Sequence, residues 1–297
     1  MRISMNKARV IRIISGEYTL YDQETGHTLL AKPRGIFRNH KVTIKVGDIV
    51  QYEKEIPFSI ITDVQTRRND LVRPAICNID QAFVVTSLKE PYLNLNLLDR
   101  FIAILEYNSI LPILIFHKTD LLNEIEQKEA EKIIHYYHDI GYPTLTTSTF
   151  NPDTLNTIKG YLKDKVSVFT GQSGVGKSSI LNGIDSNYAL QTNAISKALN
   201  RGKHTTRATT LLSFGDGWVA DSPGFGIVDL MDMDQVDLSH SFIEFFQKSS
   251  SCKYNGCLHL NEPHCAIKSA VANKEILLSR YENYLQISNE IKQKRKW

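Results

Sequence analysis

Between Ala8 and Arg68, apolar and polar positions alternate over short stretches: Val10 to Ile14, Tyr18 to Tyr21, Thr28 to Lys32, the Val42 to Tyr52 region around Gly47-Asp48, and Ser59 to Val64. Successive side chains on a strand point to opposite faces, so the pattern predicts about five strands, each with one buried face. Strands this short and dense predict a small barrel. Oligonucleotide-binding folds have this size and strand number, and so do other small barrels.

From Asp80 the rhythm changes. Ala82 to Thr86 reads as a buried strand, Leu97 to Tyr107 as a helix, Pro112 to Phe116 as a strand and Ile125 to Tyr137 as a helix. Thr144 to Thr147, Asp153 to Leu162 and Ser167 to Thr170 continue as strand, helix, strand. Such alternation predicts a parallel sheet covered by helices. A helix from Lys177, a polar stretch from Gln191 to Arg207, and strands at Thr209 to Phe214 and Trp218 to Ala220 follow. Leu238 to Trp297 is helical in pattern and ends in the basic Lys292 to Lys296 tail. The expected fold is therefore α/β, divided into a barrel over 1–68, an α/β domain over 69–228 and a mainly helical domain over 229–297.

With 297 residues, 42% of them apolar and 23% charged, the chain can build several cores and is not compositionally disordered. Arg2, Lys7, Arg9 and Arg12 interrupt the N-terminal apolar residues, and runs such as Leu111 to Phe116 are too short to span a bilayer. These features predict a cytoplasmic chain with no membrane partner, expected to act as a monomer. A net charge of +3 does not by itself announce nucleic-acid binding. Lys32, Arg34, Arg38, Lys41 and Lys45 among the barrel strands form either a solvated face or an RNA-contacting one.

Gly171-Gln172-Ser173-Gly174-Val175-Gly176-Lys177-Ser178, continued by Ser179, lies between a predicted strand and a predicted helix. That context confirms a phosphate-binding loop. Glycines let backbone N–H groups turn inward around phosphates, beside the positive end of the helix dipole. Lys177 is expected to reach the β- and γ-phosphates and Ser178 to ligate Mg²⁺. Asp221-Ser222-Pro223-Gly224 follows an apolar strand about fifty residues later, the place for an acidic residue near the Mg²⁺ shell and a glycine N–H toward the γ-phosphate. Between the two, Arg201 to Arg207 suits a switch whose threonine, Thr206 in preference to Thr205, completes that shell.

Guanine recognition requires a carboxylate facing the base N1 and N2 groups, usually in N-K-x-D. His117-Lys118-Thr119-Asp120 follows the strand at Pro112 to Phe116, so the Lys118 stem can cover the ring and Asp120 can read it. His117 stands where asparagine is usual. Ser148, after the next strand, is placed for a backbone contact to the guanine oxygen. In an ordinary GTPase the phosphate loop precedes the base-reading motif; here it follows, so the sequence reads as a circular permutation.

Cys252, Cys257, His259 and Cys265 supply three thiolates and an imidazole, a closed set that suits tetrahedral Zn²⁺ in a structural role. His264 adjoins a ligand, but the spacing favours His259. Such a site contributes on the order of 10 kcal/mol to folding.

Taken together these residues resemble one family, the circularly permuted RsgA/YjeQ GTPases of small ribosomal subunit maturation. The resemblance also covers Lys32-Pro33-Arg34-Gly35, Val46-Gly47-Asp48, Asn78-Ile79-Asp80-Gln81, Leu98-Asp99-Arg100-Phe101 and Phe225. It implies an oligonucleotide-binding (OB-fold) barrel, a permuted GTPase domain and a zinc domain. It also implies Mg²⁺ with GTP, one structural zinc, and the small subunit with its rRNA as partner. Phe225 follows the switch glycine where a water-orienting glutamine can stand; in the family a switch histidine is the proposed substitute, matching His204, whose alternative role is a phosphate or RNA contact. Slow GTP hydrolysis stimulated by the subunit is the expected activity. The alternative is an RNA-binding module gated by nucleotide, with hydrolysis incidental. For an ATPase or kinase, Asp120 would have no purpose.

Overall fold

The computed structural model describes residues 6–35, 37, 43–72, 74–148, 152–186, 188, 209–221, 230 and 232–294. His204, Thr205, Thr206, Gly224 and Phe225 lie outside the described residues, as do Arg38 and Lys41; of Asp221 only the backbone is described. The chain gathers into two units, one drawn from Met1–Asp80, Ile158–Val168 and Ile184–Phe225, the other from Gln81–Thr157, Phe169–Gly183 and Gly226–Trp297.

The first unit holds the barrel. Its strands are β1 (Asn6–Ile14), β2 (Glu17–Asp22), β3 (Thr28–Pro33), β4 (Ile49–Glu53) and β5 (Ser59–Val64). β1 pairs antiparallel with β2 and β4, β2 with β3, and β4 with β5, while β3 runs parallel to β5. The path β1-β2-β3-β5-β4 thus returns to β1, the closure of an OB-like barrel. Alternate residues Ala8, Val10, Leu20, Ala31, Val50, Tyr52 and Ile61 fill its core, as the periodicity predicts. Asp22 is buried there but paired: Tyr52 Oη donates to it, as do the N–H groups of Glu24 and Thr25 at 2.9 and 3.0 Å.

The strand expected within Val42 to Tyr52 begins only at Ile49. Asp48 explains the difference. Its buried carboxylate accepts from Lys45 N–H at 2.7 Å, from Arg67 Nε and Nη2 at 2.8 and 2.9 Å, and from the Cys77 thiol at 3.1 Å. Those bonds draw the preceding residues into a turn. A two-residue ladder between β6 (Asp70–Leu71) and β7 (Ile76–Cys77) is too short for periodicity to reveal. β1 also meets β12 (Thr210–Phe214), which pairs antiparallel with β13 (Gly217–Asp221), which in turn runs parallel to β11 (Val166–Thr170).

In the second unit β8 (Gln81–Ser87), β9 (Leu111–His117) and β10 (Thr144–Thr147) form a parallel sheet. Every β9 residue after Leu111 is buried, as a strand covered on both faces requires. The connecting helices are α1 (Leu95–Tyr107) and α2 (Glu124–Asp139). The Asn94 side chain caps α1 by accepting from Leu97 N–H, and Asn123 with Glu126 forms a reciprocal capping box on α2. Then come α3 (Pro152–Leu162) and, after the phosphate loop, α4 (Lys177–Ile184). The C-terminal segment is helical: α5 (Gln235–His240), α6 (Ile243–Ser249), α7 (Ala266–Ala272) and α8 (Leu278–Lys294) around Phe242, Phe245, Tyr284 and Ile287. Among the described residues no helix is long and apolar enough to cross a membrane.

Candidate nucleotide site and metal centre

β11 leads into the phosphate loop, and the loop ends at the first turn of α4. Gln172, Ser173 and Gly174 are exposed, as are Ser178 and Ser179 at the start of α4, while Val175 is buried beneath them. Two glycines are required by close approach. A Cβ on Gly171 would stand 2.0 Å from the Val85 carbonyl oxygen, and one on Gly176 would stand 2.3 Å from Cδ2 of His117. Both also have positive φ, +135° and +100°, which disfavours a side chain independently. Lys177 Nζ donates to the carbonyls of Gly171 and Gln172 at 2.7 and 2.8 Å, which lays the cation across its own loop. Burial pushes this ammonium below the ordinary lysine value.

The base-reading segment grows from the end of β9. His117 is 1% exposed and sits in register between Ser87 of β8 and Thr147 of β10. Lys118 turns the chain with φ of 64°, and Thr119–Leu121 forms a single 3₁₀ turn that presents Asp120 to solvent. Lys118 Nζ donates to the Glu90 carbonyl. A cavity of about 810 Å³ opens beside this turn, lined by Thr119, Asp120 and Ser148 with Leu88, Ala130 and Ile134 among others. The structure thus brings His117 against Gly176, and Asp120 and Ser148 to one cavity.

Sequence reasoning passed over Glu90 and Pro91, which border both loops. The Glu90 carbonyl holds Lys118, and Pro91 Cδ would lie 3.9 Å from a Cβ on Gly174. A carbonyl contact and a ring packing on a loop carry no residue-type signature.

The donor atoms of Cys252, Cys257, His259 and Cys265 all lie within 4.8 Å of one another. Cys252 Sγ stands 4.0 Å from Cys265 Sγ, and His259 Nδ1 stands 3.7 and 3.4 Å from those two sulfurs. A tetrahedron with metal–sulfur bonds of about 2.3 Å has edges of about 3.8 Å, so the donor set fits a tetrahedral cation. The surrounding loop is built for it. Glu262 accepts from the N–H groups of Leu258 and Leu260 at 2.9 and 2.8 Å, and Tyr281 and Tyr284 donate to the carbonyls of His259 and Leu258 at 2.7 and 2.6 Å. Ala266 N–H donates to Cys252 Sγ at 3.3 Å. His264, the alternative ligand, is exposed and outside the cluster.

Residues 64–231 match the family model described as RsgA GTPase. The chain belongs to the RsgA GTPase family. It is 44% identical to small ribosomal subunit biogenesis GTPase RsgA 2 of Oceanobacillus iheyensis, over 97% of this chain and 98% of that one. It is 41% identical to the Bacillus subtilis small ribosomal subunit biogenesis GTPase RsgA, over 98% and 99%. The crystal structure of YloQ, described as a circularly permuted GTPase, superposes with a TM-score of 0.84 at 37% identity, covering 98% of this chain and 96% of that one. YjeQ from Thermotoga maritima superposes with a TM-score of 0.86 at 34% identity, covering 96% and 98%. The permuted order inferred from the motifs is therefore the order of the fold.

In this RsgA family member the Leu98-Asp99-Arg100-Phe101 motif joins α1 to the C-terminal helices. Asp99, fully buried, accepts from Arg280 Nη1, Tyr137 Oη and Asn283 Nδ2, each at 2.6 Å. Arg280 also reaches Glu244, with Nε at 2.8 Å and Nη2 at 3.3 Å. Arg100 meets Glu290 at 2.5 Å. Arg280 and Glu244 lie in stretches that gave no sequence signal, since a buried ion pair reads there as two ordinary surface charges.

Proposed function

We propose that the chain hydrolyses GTP slowly, is accelerated by the small ribosomal subunit, and in that cycle assists the subunit's late maturation. One observation carries this reading: a phosphate loop and a guanine-type loop, in permuted order, pack together through His117 and Gly176. Asp120 accepts from the guanine N1 and N2 groups, the Lys118 stem covers the ring, and Ser148 with Thr119 closes the pocket edge. Gln172 to Ser179 present N–H groups to the phosphates, and Lys177 exchanges its two loop carbonyls for phosphate oxygens.

The exposed Ser178 hydroxyl at the start of α4 suits Mg²⁺, with Thr206 as the second protein ligand and Asp221 in the outer shell. Ser178 and Thr206 would hold the ion, which would supply positive charge against that developing on the phosphates. Gly224 senses the γ-phosphate and His204 orients water. With Phe225 in place of a glutamine the site is incomplete alone, and the subunit completes it.

The Cys252, Cys257, His259 and Cys265 cluster holds one structural Zn²⁺, because four protein donors leave no open position. The barrel contacts rRNA. Its groove of about 580 Å³ is lined by Tyr18, Phe37 and Lys32, a combination suited to base stacking and phosphate contact, and Lys32 Nζ sits 4.0 Å over the Phe58 ring. The protein works as a cytoplasmic monomer, within domains at 1–68, 69–228 and 229–297. Cosedimentation with purified small and large subunits, in the presence of a non-hydrolysable GTP analogue, tests nucleotide and partner together. Selective pelleting with small subunits is expected; equal pelleting with both, or none, overturns the reading.

A further inference from the structure

His117 occupies a position where a smaller amide is usual, and its surroundings assign it a task. The residue closes β9 with neighbours in register on both sides, Ser87 and Thr147, and its carbonyl accepts from Leu88 N–H at 3.1 Å. The backbone of His117 is therefore fixed by the sheet rather than by the loop that follows. Its ring edge, Cδ2 and Nε2, lies against Gly176, at 2.3 and 2.5 Å from where a Cβ on that glycine would stand. On the far side, Nδ1 is buried without a hydrogen bond among the described residues.

The hydrogen-bonding influence on the ring comes from the Thr147 backbone on the adjacent strand, while the buried Nδ1 has no partner among the described residues. A side chain that tied the two loops by hydrogen bonding would pair across them instead, because an unmade bond in the interior is costly. What the imidazole contributes here is volume. It fills the space left by the missing Gly176 side chain and so sets how far the phosphate loop stands from the turn carrying Lys118 and Asp120. Burial holds the ring's pKa below the ordinary histidine value, with Lys118 acting in the same direction and the Thr147 backbone and Asp120 against it. The neutral ring suits a packing role.

We propose that His117 is a positioning and specificity-determining residue. Its ring spaces the base-reading turn from the phosphate loop so that Asp120 meets the guanine edge while Lys177 holds the phosphates. The inference rests on the GTP-site reading above and adds to it a coupling between the two ends of the nucleotide. If the spacing is lost, each loop still binds its own part of the ligand, but not both in one geometry. The loss falls on the contact that needs alignment, Asp120 with the N2 amino group.

The test uses full-length, metal-loaded protein and two probes, GDP and IDP, which differ only in that amino group. His117→Ala is expected to weaken GDP about tenfold to a hundredfold, the range for a displacement of about 1 Å, and to weaken IDP less, so that the GDP:IDP ratio falls toward one. His117→Gln, which refills most of the volume, is expected to recover much of that ratio. If His117→Ala leaves the ratio unchanged, whether both affinities hold or both fall by one factor, the proposal is overturned. Should the alanine variant fail to fold, as read by melting and metal content, His117→Asn and His117→Gln carry the test. A GDP:IDP ratio in His117→Asn, the smaller side chain, equal to that of wild type and of His117→Gln would then overturn it. The underlying reading fails separately: wild-type protein that does not prefer GDP to ADP, or is indifferent to Asp120→Asn, sinks the GTP site itself.

Discussion

Arg280 Nη1 donates to Asp99 Oδ1 at 2.6 Å, with both side chains at most 1% exposed, and this pair joins α8 to α1. The guanidinium is shared with Glu244 and lies over the Phe242 ring at 4.1 Å. One cation thus faces two buried carboxylates, and the remaining lone pairs are met by Tyr137, Asn283 and Tyr136. Removing one member of such a set leaves charge unpaired in the interior, at a loss of about 3–5 kcal/mol. Arg280→Met is expected to destabilise the metal-loaded protein by that order in urea denaturation. A change below about 1 kcal/mol would show the network to be structurally idle.

Asp22 and Tyr52 make the barrel's stability depend on acid. The Tyr52 hydroxyl, with backbone N–H groups of Thr25 and Glu24, holds the Asp22 carboxyl below the ordinary aspartate value. A folded pKa below the unfolded one means stability that is fully present above the unfolded value, near 3.9, and lost as pH falls through the folded one. Tyr52→Phe is expected to remove roughly 1.5–3 kcal/mol at neutral pH, the worth of a hydrogen bond to a charged group. Melting curves of the two proteins should draw together as pH falls through the lowered value of the folded wild-type carboxyl, below which it is protonated in both.

Base selection is tested at Asp120. An amide in its place offers an N–H where guanine also has one, but can donate to a carbonyl at base position 2. Asp120→Asn is expected to weaken GDP at least about tenfold, from the loss of charge-assisted bonds, and to favour XDP. Equilibrium titration with both nucleotides checks this; unchanged GDP affinity would place the base elsewhere.

Metal removal should act on the C-terminal helices. The four donors lie among Phe245, Tyr281 and Tyr284, so an ion held there would organise the loop preceding α7. Chelation, or Cys265→Ser, is expected to lower the melting temperature and speed proteolysis within residues 243–294. Equal protection with and without metal would contradict a structural role.

Much of this was legible in residue types and spacing. The alternation around Val10, Leu20 and Ile61 located the barrel strands, and the run to Lys177 located the phosphate loop between a strand and a helix. The turn that carries Asp120 was legible because a strand end preceded it. Long-range charge was not. Asp99 and Arg280 are 181 positions apart, and Asp48 draws on Arg67 and Cys77 to reshape the turn before β4. Such pairings arise only once the chain is folded, when a charge with no periodic signature finds its counterpart.

GTP turnover with and without purified small ribosomal subunits tests the central claim most directly. The account predicts slow release of phosphate by the protein alone and a rise of at least about tenfold, toward the roughly 10³ that completion of an unfinished site supplies, when small but not large subunits are added. Turnover that stays the same, with nucleotide and metal bound, would contradict it.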